Sequence, residues 1–149
     1  MSYNSLRKGR FSEPDRAYFI TAVVRGRRPV FATLPAARLL IREMRLLHDE
    51  GFVTSLAWVV MPDHLHWLIQ LGDKGDLAKA VGLLKGRSGR SINRHLSESG
   101  ALWQAAYHDH ALREEEDLRE LARYIVANPL RAGLADSLAD FSHWDAVWL

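Results

Sequence analysis

Two apolar runs separated by three residues constrain this chain more than any other feature. Ser55-Leu-Ala-Trp-Val-Val60 leads into Met61-Pro62-Asp63, and His64-Leu-His-Trp-Leu-Ile-Gln-Leu71 leads out. Such runs, rich in β-branched and aromatic residues, read as strands over 52–60 and 64–71. So short a link between two strands demands an antiparallel pair. On an extended strand the side chains at i and i+2 share a face. His64 and His66 therefore project together, while Leu65 points to the opposite, packed face. Two imidazoles side by side can offer two nitrogens to one divalent metal. A pair of surface histidines on a half-buried strand gives the same spacing, so the rest of the chain has to decide between them.

The chain around this hairpin supplies a fold. Ala17-Tyr-Phe-Ile-Thr-Ala-Val-Val24 reads as a strand. Arg25-Gly-Arg-Arg-Pro29 is a turn-like loop. Pro35 suits the first turn of a helix whose Ala36, Leu39, Leu40, Met44 and Leu47 recur at helical spacing, with Gly51 ending it. After the turn Gly72-Asp-Lys-Gly75, Asp76 caps a second helix with a stripe of Leu77, Val81, Leu84, Ser88, Ile92 and Leu96. Gly82, Gly86 and Gly89 within it permit either tight packing or close approach of a phosphate backbone, and packing is the reading preferred. Leu102 to Arg113 reads as a fourth strand with its approach. Glu114-Glu-Glu-Asp117 opens a last helix, with carboxylates where the N-terminal dipole favours them, running to Asn128 before Pro129.

Strand, helix, strand, strand, helix, strand and an added helix make an α+β pattern. It matches a ferredoxin-like (RRM-like) antiparallel sheet with helices packed on one face, plus a C-terminal helix carrying Tyr124. At 149 residues the expectation is one domain, with a basic N-terminal arm over 1–16 and a C-terminal tail over 138–149 that docks on the body.

Composition removes several functions. With no cysteine, disulfides, thiolate zinc sites and cysteine nucleophiles are excluded. No apolar run reaches the ~18 residues of a membrane span, and residues 1–10 lack the apolar stretch of a signal peptide, so a cytoplasmic chain with no membrane partner is expected. The net charge is only +2. The positive charge is clustered, however: Arg7, Lys8 and Arg10; then Arg25, Arg27 and Arg28; then Lys85, Arg87, Arg90 and Arg94. A one-sided positive face suited to a polyanion and ordinary solvated surface both fit such clusters.

A metal held by His64 and His66 needs a third ligand. Candidates are Asp63, Asp109, Asn128 and the second pair, His108 and His110; the fourth strand neighbours the first, so His110 need not lie near His64. Tyr124 and Asn128, four apart, lie on one side of the last helix. An amide oxygen is a reasonable ligand for magnesium or manganese. A phenol titrates near pH 10 in isolation. A neighbouring cation would favour its phenolate and activate it as a nucleophile toward a phosphodiester.

Pro62-Asp63-His64-Leu65-His66 with its apolar flanks resembles the histidine-hydrophobic-histidine motif of the single-tyrosine HUH transposases, the IS200-like family. Trp103-Gln104, Asp109-His110-Ala-Leu-Arg113 and Tyr124-Ile-Val-Ala-Asn128-Pro129 with Arg131-Ala-Gly133 resemble its REP-associated branch, in the same order. The resemblance runs from about residue 17 to the C-terminus. It implies a ferredoxin-like sheet and cleavage and rejoining of single-stranded DNA near hairpins. It assigns His64 and His66 to a divalent metal (Mg or Mn), Tyr124 to the nucleophile, and Asn128 to completing the metal site, where insertion-sequence relatives more often carry Gln. The implied link is a 5′-phosphotyrosine, made without a nucleotide cofactor, by a monomer or homodimer. Arg7, Lys8 and Arg10 are expected to read the hairpin foot, and Arg27, Arg28, Lys85, Arg87, Arg90 and Arg94 to meet phosphates. Two alternatives stand beside it. One is a catalytically silent hairpin-binding protein on the same fold. The other is a metal-dependent phosphoester hydrolase using His64, His66 and a carboxylate such as Asp63.

Overall fold

The structure, a computed structural model, describes residues 16–112, 115–127 and 144–146. Among them, five strands form one antiparallel sheet: β1 (Ala17–Val23), β2 (Val53–Met61), β3 (His64–Leu71), β4 (His108–Ala111) and β5 (Trp144–Ala146), in the order β4-β1-β3-β2-β5. Three α-helices among the described residues accompany it: α1 (Leu34–Asp49), α2 (Leu77–Leu96) and α3 (Glu115–Val126). Element order and the central strand order are those of the expected ferredoxin-like α+β fold.

The hairpin is tighter than its sequence suggested. Met61 pairs with His64, which leaves Pro62-Asp63 as a two-residue turn in place of a three-residue link. The register then runs from Met61↔His64 and Val60↔Leu65 to Val53↔Leu71, with one irregularity between Ser55 and Ala57. Turn length and register are linked, because the alternation of faces must start from the turn.

That alternation divides the core. Leu65, Trp67, Ile69, Ile20, Ala22 and Val60 face one side, where they pack with Leu40, Met44 and Leu47 of α1 and Leu77, Val81, Leu84 and Ile92 of α2. Both stripes lie at helical spacing, and Asp76 caps α2 by accepting the Lys79 N–H at 2.8 Å. At the end of α1, Gly51 takes φ 87° and Gly72 passes close by. A Cβ on Gly72 would come within 2.2 Å of the Gly51 carbonyl, so that position admits only glycine.

The last helix is the element added to the two on that face, and it packs elsewhere. Leu118, Leu121, Ala122, Ile125 and Val126 of α3 pack with Ala57, Val59, Met61 and Leu68, on the side opposite α1 and α2. The sheet is thus covered on both faces, with α3 on the side to which His64 and His66 belong. The α2 glycines depart from the packing reading. A Cβ at Gly82 would meet nothing within 4 Å, one at Gly86 would touch only the Arg90 side chain, and only Gly89 lies against a neighbour, Leu102. The tail returns as β5, pairing Trp144 with Val59 and Ala146 with Ala57. Expectations for residues 1–15 and for Asn128 lie outside the described residues.

Candidate functional site

The site begins with the register of β3. His64 and His66 sit on the sheet's central strand, opposite Val23 and Thr21 of β1 and Met61 and Val59 of β2. Their side chains converge: the two Nε2 atoms lie 3.1 Å apart, with the rings edge to face. Each ring is steadied from behind. His64 Nδ1 donates to Asp63 Oδ1 at 2.6 Å, a carboxylate having no proton to give, and Thr21 Oγ1 lies 3.0 Å from His66 Nδ1. Phe19 tilts against the His66 ring at 5.4 Å between centroids.

This arrangement fits a metal. Ligating histidines characteristically spend one ring nitrogen on an outer partner and present the other to the ion. Two nitrogens 3.1 Å apart suit neighbouring positions around one ion with bonds of ~2.1 Å. Imidazole nitrogens also suit several divalent ions. Among the described residues no third His, Asp or Glu joins them into a three-ligand cluster. Asp63, a candidate third ligand by sequence, stands behind His64 instead.

Asp63 is held from two sides. Its Oδ2 accepts from Arg27 Nη1 at 3.1 Å while Oδ1 serves His64. Burial alone would raise its pKa, but the hydrogen bond and charge of His64, followed by those of Arg27, outweigh it and hold the carboxyl below its usual range. Arg27 reaches Asp63 because the loop curls left-handed at Gly26 (φ 68°) and at Arg27 itself (φ 52°). Thr21 and the Arg27–Asp63 pair carried no signal in the sequence. The first follows from the β1–β3 register, and the second spans 36 residues.

The second histidine pair lies on the same face but apart. His108 pairs with Thr21, which pairs in turn with His66, so one strand separates the two histidines in that row. β4 is an edge strand and both His108 and His110 are exposed. Asp109 points to the other face, opposite Ile20.

Tyr124 lies on α3, off its apolar stripe and 54 % exposed, so its ring is open to a large substrate. The helix that carries it packs on the histidine face through Ala122, Ile125 and Val126, against the β2 residues paired with His64 and His66. Several of the basic residues have partners of their own. Arg28 binds both oxygens of Glu98 at 2.7 and 2.9 Å, and Arg87 binds Glu50 at 2.8 Å. Lys85 Nζ donates to the carbonyls of Gln104 and Ala106 and lies over the Tyr107 ring. Arg90 and Arg94 are exposed on α2, across the sheet from the histidines. No helix among the described residues is long and apolar enough to cross a membrane.

A sheet with paired histidines on its central strand, and a tyrosine-bearing helix on the same face, belongs to an enzyme class that comparison identifies as transposases. The family model "Transposase IS200 like" matches residues 15–128, and the chain belongs to that family. The chain is also similar to named relatives. A REP-associated tyrosine transposase of Escherichia coli K12 is 27% identical over 129 residues, covering 83% of this chain and 72% of the relative. A Haemophilus influenzae protein provisionally given the same name is 26% identical over 140 residues, covering 85% and 77%. The solved structure of a REP-associated tyrosine transposase bound to a REP hairpin shares the fold, with a TM-score of 0.76 at 23% identity, over 97% of this chain and 82% of that one.

Proposed function

We propose that this chain cleaves and rejoins single-stranded DNA at REP-like hairpins through a covalent 5′-phosphotyrosine at Tyr124. His64, His66 and Asn128 would hold the magnesium or manganese ion that the reaction needs. The observation that carries the reading is the convergence of the two histidine Nε2 atoms at 3.1 Å, on the sheet face against which the Tyr124 helix packs. The REP-associated relatives, one of them solved with a hairpin, support the choice of substrate.

When bound, the ion supplies positive charge at the scissile phosphate and beside the phenol. The Tyr124 oxygen attacks phosphorus in line as it loses its proton. The bond to the 3′-oxygen breaks, and that oxygen leaves as a 3′-hydroxyl after taking up a proton. A 3′-hydroxyl from another strand end can attack the same link in reverse, releasing Tyr124 and rejoining DNA. Bond energy is kept in the tyrosyl ester, so no nucleotide cofactor is needed. Arg90 and Arg94, exposed and without an ion pair to another described residue, are the α2 cations best placed to meet phosphates. The basic arm with Arg7, Lys8 and Arg10 is assigned to the hairpin foot on its sequence alone. Such chemistry takes place where chromosomal DNA is, in the cytoplasm.

The test is a denaturing gel of end-labelled hairpin DNA with Mn2+. Wild type should give a protein–DNA adduct, and Tyr124→Phe none, while it still shifts the hairpin on a native gel. A bare nick that survives Tyr124→Phe would show a hydrolase, and a shift with neither product a silent binder.

A further inference from the structure

We propose that Asp63 is a positioning residue: it fixes the tautomer and orientation of His64 so that Nε2 presents its lone pair into the site. The inference deepens the metal reading above and rests on it for the ligand, but it concerns this chain's own hydrogen bond. Both carboxylate oxygens are committed, Oδ1 to His64 Nδ1 at 2.6 Å and Oδ2 to Arg27 Nη1 at 3.1 Å. Nδ1 and Nε2 lie on opposite edges of the imidazole, so a carboxylate on Nδ1 stands behind the ring and is no ligand. A neutral imidazole carries one proton. An acceptor at Nδ1 places it there and leaves Nε2 free to coordinate.

The surroundings hold the carboxylate in turn. Asp63 is half of a two-residue turn, its own carbonyl accepts the Val24 N–H at 2.9 Å, and the Pro62 carbonyl accepts the Phe31 N–H at 2.9 Å. The loop that brings Arg27 across is tied at its start, Val24 bridging to Trp103 and the Arg25 N–H reaching the Leu102 carbonyl at 2.9 Å, and beyond Arg27 by the Arg28–Glu98 pair. Two consecutive left-handed residues, Gly26 and Arg27, aim the guanidinium back at Asp63. A non-glycine residue keeps that conformation where surrounding contacts over-determine it. His66 has its own outer partner in Thr21 and meets His64 through the Nε2 atoms 3.1 Å apart, so removing Asp63 should act on the His64 ring first.

The experiment uses the full chain and two readouts that need neither DNA nor Tyr124. In the metal-free protein, 15N NMR of the imidazoles should show His64 with its proton on Nδ1. Asp63→Ala should abolish that signature at His64. Mn2+ affinity, read by calorimetry, should fall about tenfold in Asp63→Ala, the lower end for loss of an outer partner. Asp63→Asn keeps an acceptor oxygen and the turn, and should restore the Nδ1 proton and most of the affinity. An unchanged His64 tautomer in Asp63→Ala overturns the proposal, as does an Asp63→Asn variant that stays folded and behaves like Asp63→Ala. If the wild type takes up no Mn2+, the metal reading fails, and the tautomer still decides the role of Asp63.

Discussion

Ser88 and Trp103 offer a quantitative test of how the site is supported. Ser88 is fully buried in α2; its hydroxyl donates to the Leu84 carbonyl at 2.5 Å and accepts the Trp103 indole N–H at 3.0 Å. Trp103 is only 5 % exposed, packs on Phe31 at 5.5 Å and pairs with Val24 at the start of the Arg27 loop. An indole nitrogen can only donate. Ser88→Ala therefore strands a buried donor, at a cost of about 1–3 kcal/mol. The Leu84 carbonyl keeps its helical bond, and the space of one oxygen atom does not admit a water. At about 2 kcal/mol the Tm should fall by roughly 4–8 °C for a chain of this size. Trp103→Phe removes the donor as well, together with part of the ring's apolar area. In the double variant nothing polar is left stranded, so its loss should be smaller than the sum of the two single losses, by about 1–2 kcal/mol. Urea unfolding of the four proteins gives that coupling directly. A coupling under about 0.5 kcal/mol would refute the idea that this hydrogen bond braces the loop.

Other consequences are simpler to state. Asp76→Ala removes the acceptor of the Lys79 N–H and should cost about 1 kcal/mol in chemical denaturation, with no change in the NMR signals of His64 and His66. Because the folded chain holds the Asp63 carboxyl below its usual range, its contribution to stability is complete above that range. It is lost as the pH falls through the lowered value. A carboxyl 13C titration of the metal-free chain should find Asp63 titrating below an ordinary aspartate, and Arg27→Ala should move it upward.

What could be read from the sequence was whatever depends on near neighbours. The face of each β3 side chain follows from the two-residue period, so the convergence of His64 and His66 was legible from the hairpin alone. Asp76, Gly51 and the apolar stripes of α1 and α2 were legible for the same reason. Contacts across long stretches of chain were not. The stripe of α3 shows that it packs, but either sheet face could have received it, and only the tertiary arrangement sets it beside β2. The basic clusters left a positive face and ordinary solvated surface both open because their acidic partners are remote: Arg28 finds Glu98 across 70 residues, and Arg87 finds Glu50 across 37. Three residues at β5 are too few to show any period, so the returning strand had no signal.

The two-residue turn at Pro62-Asp63 makes the histidine pair a single heritable unit. His64 follows the turn immediately and His66 comes two residues later on the same strand, so neither can drift without the other. One residue inserted or lost between the turn and His64 would exchange the buried and site-facing sets of β3, sending Leu65 and Trp67 toward the site and both imidazoles into the packed core. The stretch from Met61 to Leu68 therefore admits substitution but no change of length.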